Sequence, residues 1–279
     1  MRVAAIELFV PVRPTGRSEG IDDVDAVRSA LLRDPQRRKH QALDAIKLAA
    51  TLKPDVILCP GWTFVGRRPS VATLVRVTGG ATLLFEVLGA DTGNPTRKAN
   101  SKANDGSAPV PFVLRGGTLA VLPAQVFAVS DQLRATSASD EVARRIAIAV
   151  RTGRNIGHGI VLLCGEVNIL RRQVRKGVGV TYGWDRAVDA AGLPATGFKN
   201  AVVFNPAHTP NGGYVRAKRR NGPWAAIVST ANNLDRTIIG KRSRLAAPAH
   251  AAINGKDLSP IDDYPVGNDG SRVVLFLMP

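Results

Sequence analysis

Three apolar runs in this chain stop at residues able to do chemistry: Cys59-Pro60-Gly61-Trp62, Cys164-Gly165-Glu166 and Asn205-Pro206-Ala207-His208. In α/β folds the C-terminal ends of strands collect functional groups, because the loops there converge on a crevice. A thiol at such an edge is open to a substrate, whereas a thiol in mid-strand is walled in. Cys164 is therefore the stronger candidate nucleophile. Gly165 removes a side chain beside it and lets a substrate or a tight turn approach. A strand-to-turn position also offers backbone N–H groups to an oxyanion. Cys59 reads as core, since Pro60 follows it and no acid or base lies close in sequence. Glu166 is either a base or an ion-pair partner for Arg171 or Arg172. His208 sits in a turn bracketed by prolines and is either a base or an ordinary hydrogen-bonded loop residue. The four His and two Cys show no metal-ligand spacing. Phosphate-loop, dinucleotide and serine-hydrolase motifs are absent. Neither a metal nor a cofactor is expected.

The elements that must position these groups follow from apolar patterning. Val3–Val10 reads as a strand, followed by a polar loop from Pro11 to about Asp25. Asp34-Pro35 reads as a helix start, with Leu43, Ile46, Ala49 and Ala50 at helical spacing and Pro54 as the stop. Asp55–Cys59 and Ala81–Val87 read as buried strands on either side of a helix over Ser70–Val77. Asp91–Ser107 is polar and aperiodic and reads as a long exposed loop. Phe112–Leu114 and Thr118–Leu122 flank Gly116-Gly117 as a hairpin. A helix opens at Ser139-Asp140-Glu141 and closes near Arg151 and Gly153. Ile160–Leu163, Ala201–Phe204, Trp224–Ser229 and Val273–Leu277 complete the strands. Continuous apolar strands alternating with helices predict an α/β fold with a sheet buried on both faces. The absence of repeats or an outer linker predicts one domain over residues 1–279.

Composition narrows the function classes. The 279 residues, 44% of them hydrophobic, supply a real core and exclude wholesale disorder. The net charge of +16 admits a polyanion partner. Aromatics are only 5% and no nucleic-acid motif is present, so solvated basic faces outrank nucleic-acid binding. The runs Arg216, Lys218, Arg219, Arg220 and Arg236, Lys241, Arg242, Arg244 are read the same way. Two cysteines are too few for a disulfide framework, and no secretory leader or membrane-length apolar run is present. A cytoplasmic protein with free thiols is expected.

This order of elements resembles that of the nitrilase-type carbon–nitrogen hydrolases. Gly159-Ile160-Val161-Leu162-Leu163-Cys164-Gly165-Glu166 is similar to the family's nucleophile strand, its most specific feature here. Asp55–Trp62 resembles its Pro-Glu strand, Ala201–His208 the strand ending in Asn-Pro, and Ser229–Asn233 a later Ala-Asn segment. The resemblance spans most of the chain. It implies a four-layer α-β-β-α sandwich, a homodimer formed through the helical layers, and a small-molecule substrate. It also implies a Glu–Lys–Cys triad in which glutamate is the base and lysine stabilises the tetrahedral state.

Only the cysteine carries over, to Cys164. Gly61 stands where the family has its glutamate, and Leu122–Phe127 offers Ala124 and Gln125 in the lysine region. Losing a general base costs about 10²–10⁴-fold in rate, and losing an oxyanion donor about 10²–10³-fold. Substitutes are therefore required. Glu86 or Glu166 is the candidate base and Gln125 the candidate hydrogen-bond donor. Trp62, Gly165, Asn205 and His208 are expected to contact substrate. The resulting expectation is a cysteine-dependent hydrolase of an amide, nitrile or N-carbamoyl C–N bond with an altered triad. A catalytically inactive binding or assembly module of the same fold ranks second, and a basic nucleic-acid-associated protein third.

Overall fold

The computed structural model describes residues 1–12, 21–89, 109–126, 139–164, 166, 172–175, 179–182, 202–208, 226–234, 248–253 and 256–279. The chain is mixed α/β with several sheets. Its first half builds an eight-stranded sheet from β1 (Arg2–Glu7), β3 (Val56–Leu58), β4 (Phe64–Val65), β5 (Thr82–Leu88), β6 (Val110–Arg115) and β7 (Thr118–Val121). The C-terminal β16 (Asp262–Val266) and β17 (Ser271–Leu277) return to complete it. The order is β16-β17-β1-β3-β5-β6-β7, with β4 added along β5. β1, β3 and β5 run parallel, β4 also pairs parallel with β5, and the flanking β16, β17, β6 and β7 join through antiparallel pairs. A five-stranded sheet joins β8 (Gly159–Val161), β11 (Val202–Pro206), β12 (Ala226–Thr230), β14 (His250–Ile253) and β15 (Lys256–Leu258). One side of it, β12-β11-β8, is again parallel, with β8 at the edge.

Alternation along β1 shows how the sheets are covered. Ala4 and Ile6 join Ile57, Leu83 and Phe85 in one apolar cluster with Ala42, Ala45, Ile46 and Ala49 of helix α2 (Pro35–Thr51) and Leu74 of α3 (Val71–Thr78). Val3 and Ala5 point the other way. They join Val56, Leu58 and Leu84 in a second cluster with Val161, Val202, Phe204, Ala226 and Val228 of the five-stranded sheet. Strands buried on both faces need apolar residues at every position, and all seven residues of β5 are buried, Glu86 included.

Several local signals act as expected. Asp34 accepts a hydrogen bond from Arg37 N at 2.9 Å and caps α2, with Pro35 at its first position. Ser70 caps α3 in the same way through Thr73 N at 3.1 Å. Gly116 and Gly117 take φ of 53° and 78°, the left-handed pair that a two-residue hairpin turn between β6 and β7 requires. Helix α4 (Ser139–Ala149) runs on into a π-helical turn, Val150–Arg154.

Other expectations need correction. Val3–Val10 is not one strand. β1 ends at Glu7, and after Leu8 the chain turns to pair β2 (Phe9–Val10) with β13 (Asn233–Leu234). The polar stretch read as loop to Asp25 is already helical from Ile21, in α1 (Ile21–Arg33). Val27 and Leu31 supply its buried face. The edge strands β15 and β16 escape apolar patterning because they are short, largely exposed and, in β16, contain a proline. A further pair, β9 (Arg172–Arg175) with β10 (Gly179–Tyr182), is antiparallel. The Asp91–Ser107 stretch and both basic runs lie outside the described residues, as do Arg171 and Gly165. Among the described residues no helix is long and apolar enough to cross a membrane.

The capping geometry gives a stability prediction. Asp34→Ala should destabilise the chain by about 1 kcal/mol, read as a lowered urea midpoint with unchanged slope.

Candidate active site

The C-terminal ends of the parallel strands from both sheets meet at one place. β3 delivers Gly61, Trp62 and Thr63, and β5 delivers Glu86. β8 leads to Cys164, β11 to His208 and β12 to Asn232. Backbone bonds stitch these ends together: Cys59 N to Leu84 O at 2.9 Å, Gly61 N to Ala207 O at 2.9 Å, Ala207 N to Thr230 O at 2.8 Å and Leu162 N to Phe204 O at 3.0 Å.

At the centre is a row of three groups. Glu86 lies two residues beyond Leu84 on β5, so it shares the face turned toward the second sheet. Its Oε2 is 2.9 Å from His208 Nε2 and accepts a 3.2 Å bond from Trp62 N. The Cys164 thiol lies beside the same histidine, within the electrostatic reach of its ring. His208 and Glu86 are 6% and 1% exposed, whereas Cys164 retains intermediate exposure. The thiol is thus the member that a substrate can reach.

The electrostatics follow from this row. Burial alone would push the Cys164 thiol up. The positive His208 ring and its hydrogen bonds outweigh burial and hold the thiol below the ordinary range. Burial would likewise push His208 down, but the Cys164 thiolate and the Glu86 carboxylate outweigh it and push His208 up to about 10. Both shifts favour the thiolate–imidazolium form of the pair, the nucleophilic state of a cysteine.

The backbone is strained where the row is held. Cys164 takes φ of 27° and Trp62 φ of 57°, left-handed values that non-glycine residues seldom adopt. A third such residue, Lys53, lies in the turn after α2. Strain of this kind persists only where the surroundings over-determine it. At Cys164 it ends the apolar strand in a sharp turn, with Asn205 Nδ2 donating to Leu162 O at 2.6 Å and Cys164 O at 3.2 Å. At Trp62 it lays the indole flat on the His208 imidazole, centroids 4.1 Å apart at 15°.

Gly61 has a steric role. A Cβ at this position would lie 2.2 Å from His208 Cδ2 and 3.1 Å from the Ala207 carbonyl carbon. The His208 ring thus fills the space that a side chain at residue 61 would need.

The expected site residues fall into three groups. Cys164 and Glu86 come together, with His208 between them rather than among substrate-contacting groups. Trp62 is 4% exposed and walls the imidazole, and Asn205 is fully buried and braces the cysteine turn, with its Oδ1 accepting from Ser229 Oγ at 2.8 Å. Neither has a free face for substrate. Glu166 is not brought into the row. Its buried carboxylate pairs with Arg154, not Arg171 or Arg172, and accepts from Val126 N at 2.7 Å and Leu163 N at 2.9 Å. Arg154 also binds the carbonyls of Pro123 and Ala124. The Arg154–Glu166 pair therefore fastens the stretch around Gln125 to the cysteine turn. Gln125 is half-buried on that stretch. Gly165 lies outside the described residues. Among the described residues no cluster of His, Cys, Asp and Glu could hold a metal ion.

Sequence reasoning missed Arg38 and Asn232, both buried beside the row. A signal for Arg38 existed. It falls on the stripe Ala42, Ala45, Ile46, Ala49, the wrong face of α2 for a solvated charge.

Two substitutions test this construction. Gly61→Ala should displace the His208 ring and return Cys164 toward an ordinary thiol, slowing iodoacetamide alkylation at pH 6 about tenfold per unit of pKa regained. Glu166→Ala strands the Arg154 charge in the core and should cost about 3–5 kcal/mol by denaturant titration. No protein-family model matches this chain, and no curated protein is significantly similar to it.

Proposed function

We propose that the chain is a cysteine hydrolase of a non-peptide C–N bond, working through a Cys164–His208–Glu86 triad. The observation that carries this reading is the row of a reachable thiol, an imidazole and a buried carboxylate, with His208 Nε2 2.9 Å from Glu86 Oε2. The arrangement also answers the lack of a glutamate at Gly61. The base comes from the end of β11 instead, and Glu86 serves as its orienting partner.

In the mechanism, the Cys164 thiolate attacks the carbonyl carbon of an amide or N-carbamoyl group and the S–C bond forms. His208 gives its proton to the departing nitrogen as the C–N bond breaks, leaving a thioester and a neutral imidazole. That imidazole then takes a proton from water, whose oxygen attacks the same carbon. Collapse breaks the S–C bond and restores thiolate and imidazolium. A nitrile would pass through a thioimidate by the same attack. Glu86 holds the ring orientation and stabilises its charge throughout, as the acid does in other triads.

The reading extends to architecture: a single nitrilase-like domain arranged as an α-β-β-α sandwich. Its support is that one apolar cluster joins α2 and α3 to the eight-stranded sheet while the next joins that sheet to the five-stranded one.

The test is ammonia release from a panel of amides, nitriles and N-carbamoyl compounds. Cys164→Ala should abolish release, and His208→Ala should lower kcat/KM by about 10²–10⁴-fold. The rate should rise with pH as Cys164 loses its proton below the ordinary thiol range, stay level, and fall as His208 deprotonates near pH 10. Release that survives Cys164→Ala would sink the proposal. Silence across the panel, with no acyl-enzyme seen by mass spectrometry, would leave a binding module of the same fold.

A further inference from the structure

The loops carrying the triad are held by a second layer of buried polar groups that takes no part in the chemistry. Asn232, fully buried after β12, donates from Nδ2 to two carbonyls at once: His208 O at 2.7 Å and Gly61 O at 3.0 Å. Its Oδ1 accepts from Arg38 Nη2. Arg38, 2% exposed, also donates to Trp62 O at 3.1 Å from Nη2 and to Thr63 O at 3.2 Å from Nε. Its Nη1 donates to Gln41 Oε1 at 3.2 Å. Gln41 Nε2 in turn reaches Asp269 Oδ2 at 2.8 Å, Ser271 Oγ at 3.0 Å and Phe9 O at 3.0 Å.

A guanidinium in an apolar helix face is costly, and among the described residues no carboxylate bonds it directly. Burial lowers its pKa to about 9, against weaker support from the Asp269 carboxylate. A methionine or leucine would fill the same volume more cheaply. The charged group has a geometric use instead. Its fork and the Asn232 amide together bind carbonyls on four residues: Gly61, Trp62, Thr63 and His208. Those residues belong to two loops from different sheets, and they carry the imidazole, the indole stacked on it and the glycine that leaves it room.

We propose that Arg38 and Asn232 are positioning residues, a polar clamp that sets the register of the 60–63 loop against His208 and so holds the imidazole in reach of both Cys164 and Glu86. This inference rests on the triad reading. The clamp touches neither the thiol nor the ring, so its loss acts on the geometry of the thiolate–imidazolium pair rather than on substrate binding.

The experiment reads that pair without a substrate. Iodoacetamide alkylation of Cys164 is followed against pH in the native chain and in His208→Ala, Asn232→Asp and Arg38→Lys, with folding checked by circular dichroism and urea midpoint. Asn232→Asp keeps the size but removes the Nδ2 donors, and Arg38→Lys keeps the buried charge but removes the fork. We expect the native chain to alkylate at low pH, and His208→Ala to lose this behaviour. Both clamp variants should fold and show the midpoint raised by about one unit, a roughly tenfold slower reaction at pH 6. A folded Asn232→Asp with the native profile overturns the clamp while leaving the triad intact. Should that variant fail to fold, Arg38→Lys is read by the same criterion. A native chain with an ordinary thiol profile overturns the triad itself, and the clamp with it.

Discussion

A carboxylate in the middle of a strand buried on both sides constrains everything around it. Glu86 lies in β5, where every neighbour on the strand is buried and apolar save Thr82. An isolated charge at such a place is several kcal/mol unfavourable and would simply be neutralised or lost. Among the described residues His208 supplies the cation, and Trp62 N supplies a further hydrogen bond. The charged imidazole is therefore required by the packing before it is required by any reaction. Its position then dictates the rest: an indole to cover one face, no side chain at Gly61, and a thiol beside the ring.

The site exists because two sheets of similar build meet there. Each contains three adjacent parallel strands, β1-β3-β5 in one and β8-β11-β12 in the other, and parallel strands end together. The apolar cluster between them fixes how those ends face one another. Neither sheet holds the triad alone. Glu86 comes from the first, and Cys164 and His208 come from the second. The Arg154–Glu166 pair and the Arg38–Asn232 pair then brace the two sides, one under the cysteine turn and one under the histidine loop.

This explains which parts were legible in the sequence. Capped helices and buried strands announce themselves locally: Asp34-Pro35 and Ser70 start helices, and Val56–Leu58 and Thr82–Leu88 are apolar at nearly every step. Cys164 is equally visible, because an apolar run stops at it. The α/β class follows from the same patterns. The partners of Cys164 are another matter. Glu86 pairs with His208 across two sheets, and no periodicity encodes that contact. Glu166 is near Cys164 in sequence, but Arg154 and two backbone amides hold its carboxylate away from any role as base. Asn205 and Trp62 stand at strand ends where substrate contact is expected, yet burial turns both into supports. Arg38 breaks the apolar stripe of α2. Such a local contradiction is what a sequence shows where a fold gives up stability for a site.

The space that Gly61 leaves open ties two distant positions of the chain into one choice. Either residue 61 carries a side chain into the crevice or the loop after β11 does, because both cannot occupy the same volume. A lineage passing between these two arrangements by single replacements must cross a form with neither side chain in that space or a form with both forced into it. Glycine at 61 and histidine at 208 should accordingly be inherited as a pair, so that finding one in a relative of this chain forecasts the other.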